Sequence, residues 1–172
     1  LIKRCRMKNY YFKEKFFKIT DHYAILDEDG NDAFFVDQDF KLIGYSSTIS
    51  DANRNPILEI DKEIFNLFQK FNVNFTDGRY MRVESKLSFL TRKVEVDYNG
   101  ETFNLKGNFI DLNFDIYRGS DLIGEIEKTF FAMTDTYRLT VHHENYTEAL
   151  LALTLCLNNI KDTARARSNS AG

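Results

Sequence analysis

Tryptophan is absent, proline occurs once and cysteine twice in the 172 residues. So little proline, beside 16 Phe and 9 Tyr, favours sheet. The cysteines, Cys5 and Cys156, are lone residues at opposite ends. That excludes a disulfide framework and points to a reducing, cytoplasmic setting. No apolar run approaches the roughly 20 residues that cross a bilayer; the longest lies at 149–157. Leu1-Ile2 is followed at once by Lys3, Arg4 and Arg6, so a secretory signal is not expected. P-loop, dinucleotide fingerprint and nucleophile elbow are all missing. Gly119-Ser120 and Gly44-Tyr45-Ser46 lack the context such motifs need. The expectation is therefore a non-enzymatic protein with no cofactor.

What is present is ordinary for a globular domain: 43% hydrophobic and 28% charged residues. The length suits a single domain with a sizeable core. The net charge of −3 hides an asymmetry. Residues 1–18 carry seven Lys and Arg against Glu14, a net of +6, and residues 161–172 carry three against Asp162, a net of +2. The body between them holds 13 basic and 24 acidic residues, a net of −11, which argues against nucleic acid as a partner.

Turn signals recur at Asp29-Gly30-Asn31, at 52–56, at Asp77-Gly78, at Asn99-Gly100 and at Arg118-Gly119-Ser120. Asn99-Gly100, flanked by alternating residues, is the strongest hairpin signal, because a type I′ turn needs positive φ at both centres. Between the turns a second element recurs: Lys15-Phe16-Phe17, Asp39-Phe40, Lys62-Glu63-Ile64-Phe65, Lys86-Leu87-Ser88-Phe89, Gly107-Asn108-Phe109-Ile110 and Lys128-Thr129-Phe130-Phe131. A spacing of about 21 to 24 residues means repeated supersecondary units, here two strands and a tight turn joined by Phe-rich corners. Six units give about twelve strands: 6–12, 16–26, 33–37, 41–49, 57–62, 65–75, 80–86, 91–98, 101–107, 111–118, 122–128 and 136–143. Val94, Val96, Ile116, Ile126, Leu139 and Val141 alternate with polar partners and are the expected inward faces.

The segment 149–157 follows Asn145-Tyr146-Thr147-Glu148, a plausible N-cap with a glutamate three residues on. The helix, expected at about 146–161, is apolar nearly all round and so must be buried on all sides. Twelve strands close or leave bare edges, and closing on a helix fills a lumen too wide for side chains alone. The expected fold is mainly β: an antiparallel closed barrel of about twelve strands enclosing a hydrophobic C-terminal helix. The domain spans 1–162, and 163–172 is expected to be a disordered tail.

Several stretches resemble the LURP-one-related family. They are Val83-Glu84-Ser85-Lys86-Leu87-Ser88-Phe89-Leu90, Leu105-Lys106-Gly107-Asn108-Phe109, and Lys128-x-Phe130-Phe131-x-x-x-Asp135-x-Tyr137 followed by a strand and the apolar helix. The similarity covers residues 5–161, in the manner of the bacterial members. It implies the fold shared by the tubby C-terminal domain and the phospholipid scramblases, a twelve-stranded barrel around a central helix. Functions in that superfamily differ, and no functional residue of tubby or scramblase proteins matches a position in this chain.

Candidate chemistry is thin. His142 and His143 would point to opposite faces of a strand and cannot share one metal ion. Asp27-Glu28-Asp29-Gly30-Asn31-Asp32 has Asp32 and Gln38 where a calcium loop needs glycine and glutamate, so an acidic turn is expected. Asp135 reads as a turn residue before the last strand. Basic residues gather in 70–93, and Lys13, Lys15, Lys18, Arg79, Arg82, Lys86, Arg92 and Lys93 are the candidate phosphate-binding set. The simpler alternative is an outer wall charged for solubility, with Arg82, Glu84 and Lys86 sharing one face. On superfamily analogy the expected role is a binding module meeting anionic phospholipid headgroups, peripheral to a membrane. A small-molecule carrier and a protein-interaction scaffold are the alternatives.

Overall fold

Twelve alternating segments become twelve strands in the computed structural model, which describes residues 6–15, 21–39, 44–63, 68–87 and 92–170. They are β1 (Lys8–Lys13), β2 (His22–Leu26), β3 (Asp32–Asp39), β4 (Ser46–Ser50), β5 (Pro56–Lys62), β6 (Gln69–Phe75), β7 (Tyr80–Leu87), β8 (Arg92–Tyr98), β9 (Glu101–Asn108), β10 (Asn113–Arg118), β11 (Asp121–Phe131) and β12 (Thr134–Val141). A 3₁₀ turn (Glu144–Tyr146) and helix α1 (Thr147–Ser170) follow. The strands close into one antiparallel barrel in chain order, with β1 between β2 and β12. The joint to β12 runs from Lys8↔Val141 to Lys13↔Thr136. The joint to β2 is a single pair, Tyr11↔Leu26.

The turns share one chemistry, in which an aspartate side chain accepts backbone N–H groups that the reversing chain leaves unpaired. Asp27 takes those of Asp29 (3.0 Å) and Asn31 (2.8 Å), so its acidic stretch is a turn, as expected. Asp51 takes those of Asn53 and Asn55, both at 2.9 Å. Asp77 and Asp97 accept from Arg79 and Gly100, each at 3.1 Å. Asn99 (φ 50°) and Gly100 (φ 80°) adopt the left-handed geometry expected of them. These turns lie at one end of the barrel, its top, where α1 also begins. The turns 109–112 and 132–133 lie at the other end, the base, where α1 leaves.

Helix α1 is buried at Thr147 and from Ala149 to Asn158, and Leu150, Leu151, Ala152, Leu153 and Leu157 are fully inaccessible. Inward side chains of the wall pack on it, among them Ile60, Val73, Val83, Val96, Ile116, Ile126 and Leu139. Val94 is partly buried. The hydroxyl of Thr154 donates to the Leu150 carbonyl at 2.8 Å, which gives this fully buried hydroxyl a partner within the helix. At Gly124, on β11, the wall comes so near that a Cβ would meet Leu150 Cδ1 at 2.8 Å. Cys156 is a buried free thiol, and Cys5 lies outside the described residues.

Four details differ from the sequence reading. The helix runs on to Ser170, so 163–170 is helix, exposed from Arg165 onward, rather than disordered tail. Helix formers Ala164, Arg165, Ala166 and Arg167 carry it past the barrel. At its start there is no Asn145 cap: the 3₁₀ turn leads in, Thr147 Oγ donates to the Glu144 carbonyl at 2.8 Å, and Glu148 pairs with Arg79. β11 extends through Phe131, and the turn is Ala132-Met133, with φ of 50° and 63°. Asp135 is therefore a residue of β12, opposite Phe130, and not part of the turn. The early starts expected for the second, fourth and sixth strands, at 16, 41 and 65, lie outside the described residues.

Candidate functional site

The ring separates the basic residues that the sequence groups. β1 and β7 are six strands apart on a ring of twelve, so Lys13 and Lys15 stand across the barrel from Arg82 and Lys86. Lys18 and the side chain of Arg92 lie outside the described residues. On the outer wall of β7 and β8 each described cation meets a carboxylate. Lys86 pairs with Glu95 at 2.7 Å and Lys93 with the same group at 3.4 Å. Arg82 lies 3.5 Å from Glu63 and 3.9 Å from Glu84, which also takes Lys70 at 3.7 Å. As expected, Arg82, Glu84 and Lys86 share the outer face while Met81, Val83 and Ser85 point inward. Charges of both signs interleave, so the wall carries no strong positive field.

Arg79 is at the top, not on that wall. Its guanidinium binds Asp77 at 2.7 Å, donates to the Tyr98 hydroxyl at 2.8 Å and pairs with Glu148, with the Phe75 ring 4.7 Å away. It clamps a turn to the first turn of α1, a structural duty that occupies its donors. His142 pairs with Glu125 at 2.6 Å and His22 with Asp37 at 2.5 Å. Among the described residues no three His, Cys, Asp or Glu are grouped to hold a metal ion.

The base is different in character. Ile110 (77% exposed), Phe130 (66%) and Met133 (88%) stand outward on the neighbouring hairpins β9–β10 and β11–β12. Single exposed apolar residues are common, but three on adjacent tips make a patch that asks for a partner. On the same side of the base lie Lys13, Lys15, Lys128 and Arg165, interleaved with Glu14, Asp111, Asp135 and Asp162. Lys128 binds Glu14 at 3.0 Å and Asp135 at 3.7 Å. Phe131, next to exposed Phe130, stacks on Tyr11 at 3.9 Å and belongs to the wall. The Phe corners are the sequence signal for this rim, but their register decides which ring faces water.

Lys62, the last residue of β5, also sits at the base. Its ammonium donates to Gln69 Oε1 and Asn159 Oδ1, both at 2.8 Å, and to Thr163 Oγ1 at 3.2 Å, tying wall to helix. Burial, aided by the Arg167 charge nearby, lowers its pKa to about 8. Between that value and the ordinary lysine value the unfolded chain holds a proton that the folded chain has released, so stability rises with pH. Below pH 8 both states are protonated and the burial penalty is fully present. Wild type is expected to gain about 1–2 kcal/mol on Lys62→Met between pH 8 and 10, a figure discounted for the amine's partial exposure. Urea melts of both proteins across that range check it; parallel profiles would contradict it.

The closed barrel wrapped on its C-terminal helix defines the class. The chain belongs to the LURP-one-related family, which it matches over residues 8–158. It is 20% identical over 150 residues to the uncharacterized protein YxjI of Bacillus subtilis, covering 87% of this chain and 91% of that one. An Arabidopsis thaliana protein solved by X-ray crystallography superposes with a TM-score of 0.62 at 14% identity, covering 92% of this chain and 94% of its own, and shows the same fold. No helix among the described residues is long and apolar enough to cross a membrane.

Proposed function

We propose that this barrel is a non-catalytic, cytoplasmic binding module that meets anionic phospholipid headgroups with its base. The observation that carries the reading is the exposure of Ile110, Phe130 and Met133 on adjacent tips, at the end of the barrel that also carries Lys13, Lys15, Lys128 and Arg165. An apolar tip gains from entering the headgroup layer, and each nearby cation adds about 1 kcal/mol at an anionic surface. Neither alone gives firm attachment; together they do. Phosphatidylcholine vesicles with and without phosphatidylserine, co-sedimented at low salt, test it. Binding is expected only with the anionic lipid. It should fall by more than about tenfold when Ile110, Phe130 and Met133 are all changed to Ser, since each loses part of the roughly 1.5–3 kcal/mol of a buried apolar side chain. Equal, negligible sedimentation in both lipids would end the reading.

A small-molecule carrier is the second reading. It is favoured by a cleft of about 370 Å³ at the top of the β1–β2 joint, where Tyr10 and Phe34 meet edge to face at 5.5 Å beneath Arg6, Lys8 and Asp29. Native mass spectrometry would then show a co-purifying ligand.

A further inference from the structure

Among the described residues the β1–β2 joint holds one ladder pair, Tyr11↔Leu26, and every other joint of the ring holds at least three. Above that pair β2 ends and the chain turns at Asp27, so a side chain fills the next rung. Glu28 accepts from the Asn9 backbone N–H at 3.2 Å and from Asn9 Nδ2 at 2.7 Å. The cleft of about 370 Å³ opens at this gap, within the roughly 300–1,000 Å³ usual for small-molecule sites. Its floor is the Tyr10 and Phe34 ring pair, packed on the core, with Ala33 beside it and exposed Met7 at the edge.

Most charges on the rim are engaged. Asp27 accepts the N–H groups of Asp29 and Asn31, Glu28 accepts those of Asn9, and Lys8 binds Glu144 at 2.5 Å. Two charges are left over. Arg6, on the β1 lip, pairs with no carboxylate among the described residues and stands close enough to Lys8 to oppose its charge. Asp29, on the lip of the β2–β3 turn, pairs with no cation there. The two do not reach each other across the gap, so a ligand that carries both charges can bridge them. A guanidinium fork suits a carboxylate, a lone carboxylate suits an ammonium, and the ring pair suits an apolar body. We propose that this cleft binds a free amino acid with an aromatic side chain, its carboxylate on Arg6, its ammonium on Asp29 and its ring against Tyr10 and Phe34. The inference rests on the carrier reading, whose ligand class it names, and is independent of the membrane reading at the base.

Three probes with one body test it by calorimetry at low salt: phenylalanine carries both charges, phenylethylamine only the ammonium and phenylpropionate only the carboxylate. Phenylalanine is expected to bind at least about fivefold tighter than either, since each exposed charged contact adds a modest share. Arg6→Gln should weaken phenylalanine by at least about fivefold and leave phenylethylamine within about twofold. Asp29→Asn should weaken phenylalanine equally and leave phenylpropionate within about twofold. Lys106→Gln, the same charge change as Arg6→Gln but on the β9 wall, should leave all three unchanged. Phenylalanine bound no tighter than the better single-charged probe overturns the bridging of Arg6 and Asp29, while binding of that probe leaves the carrier reading standing. Phenylalanine affinity untouched by both Arg6→Gln and Asp29→Asn also overturns it. If no probe binds, the inference fails, and native mass spectrometry separates the two claims: a co-purifying ligand keeps the carrier reading, and its absence ends that reading as well.

Discussion

Leu153→Asp is expected to unfold the protein. Leu153 is fully inaccessible at the middle of the buried part of α1, among wall residues from all round the barrel. Losing the leucine there removes about 2–5 kcal/mol of packing. Leaving a carboxylate with no cation adds several more, or forces it to stay protonated. Domains of this size hold only about 5–15 kcal/mol in reserve. Circular dichroism and a urea melt read the outcome, and Leu153→Met, expected to lose less than about 1.5 kcal/mol, shows that the position tolerates shape change. A Leu153→Asp variant that melts cooperatively near the wild-type midpoint would mean that the helix is not the barrel's core.

Gly107→Ala is expected to be nearly as damaging, for a different reason. Gly107 sits in β9 at φ 149°, paired with Phe114 of β10. A Cβ there would collide with the Asn113 carbonyl oxygen and lie 2.8 Å from Asn113 C and Phe114 Cα. All three are backbone, so no rotamer relieves the clash and the strand pair must part. A loss of about 3 kcal/mol or more is expected, lowering the thermal midpoint by about 6–12 °C. Gly100→Ala is the comparison: φ is 80°, but nothing lies within 4 Å of the added carbon, so only the backbone strain of about 1–3 kcal/mol remains. If the two variants melt together, the close approach at Asn113 carries no energy.

The strands and the helix were legible because local chemistry declares them. Asn99-Gly100 demands a turn, alternation about Ile116 and Leu139 demands a face, and the segment around Leu153 has no polar side to show water. The Ala132-Met133 turn was not legible, since neither residue favours the left-handed geometry it adopts; cross-strand pairing of Phe131 with Thr134 imposes it. The helix beyond Lys161 was hidden because its polar composition reads as tail, although alanine and arginine sustain helix well. The placement of the basic residues was not legible because partners such as Arg79 and Glu148 lie 69 residues apart in the chain and touch only in the fold. Phe130 and Phe131 were visible as a pair, but alternation sends one to the surface and the other onto Tyr11, and sequence alone does not say which.

Because ring order repeats chain order, residue number works here as a compass bearing, each strand advancing by about 30°. Charge clusters on distant strands can never share a heading, whatever their count. The exception is the place where the bearing passes from twelve back to one. There β1 is laid against β12, and Lys13, opposite Thr136, is delivered to the same end of the barrel from which Arg165 and Arg167 depart, although the sequence holds them about 150 positions apart.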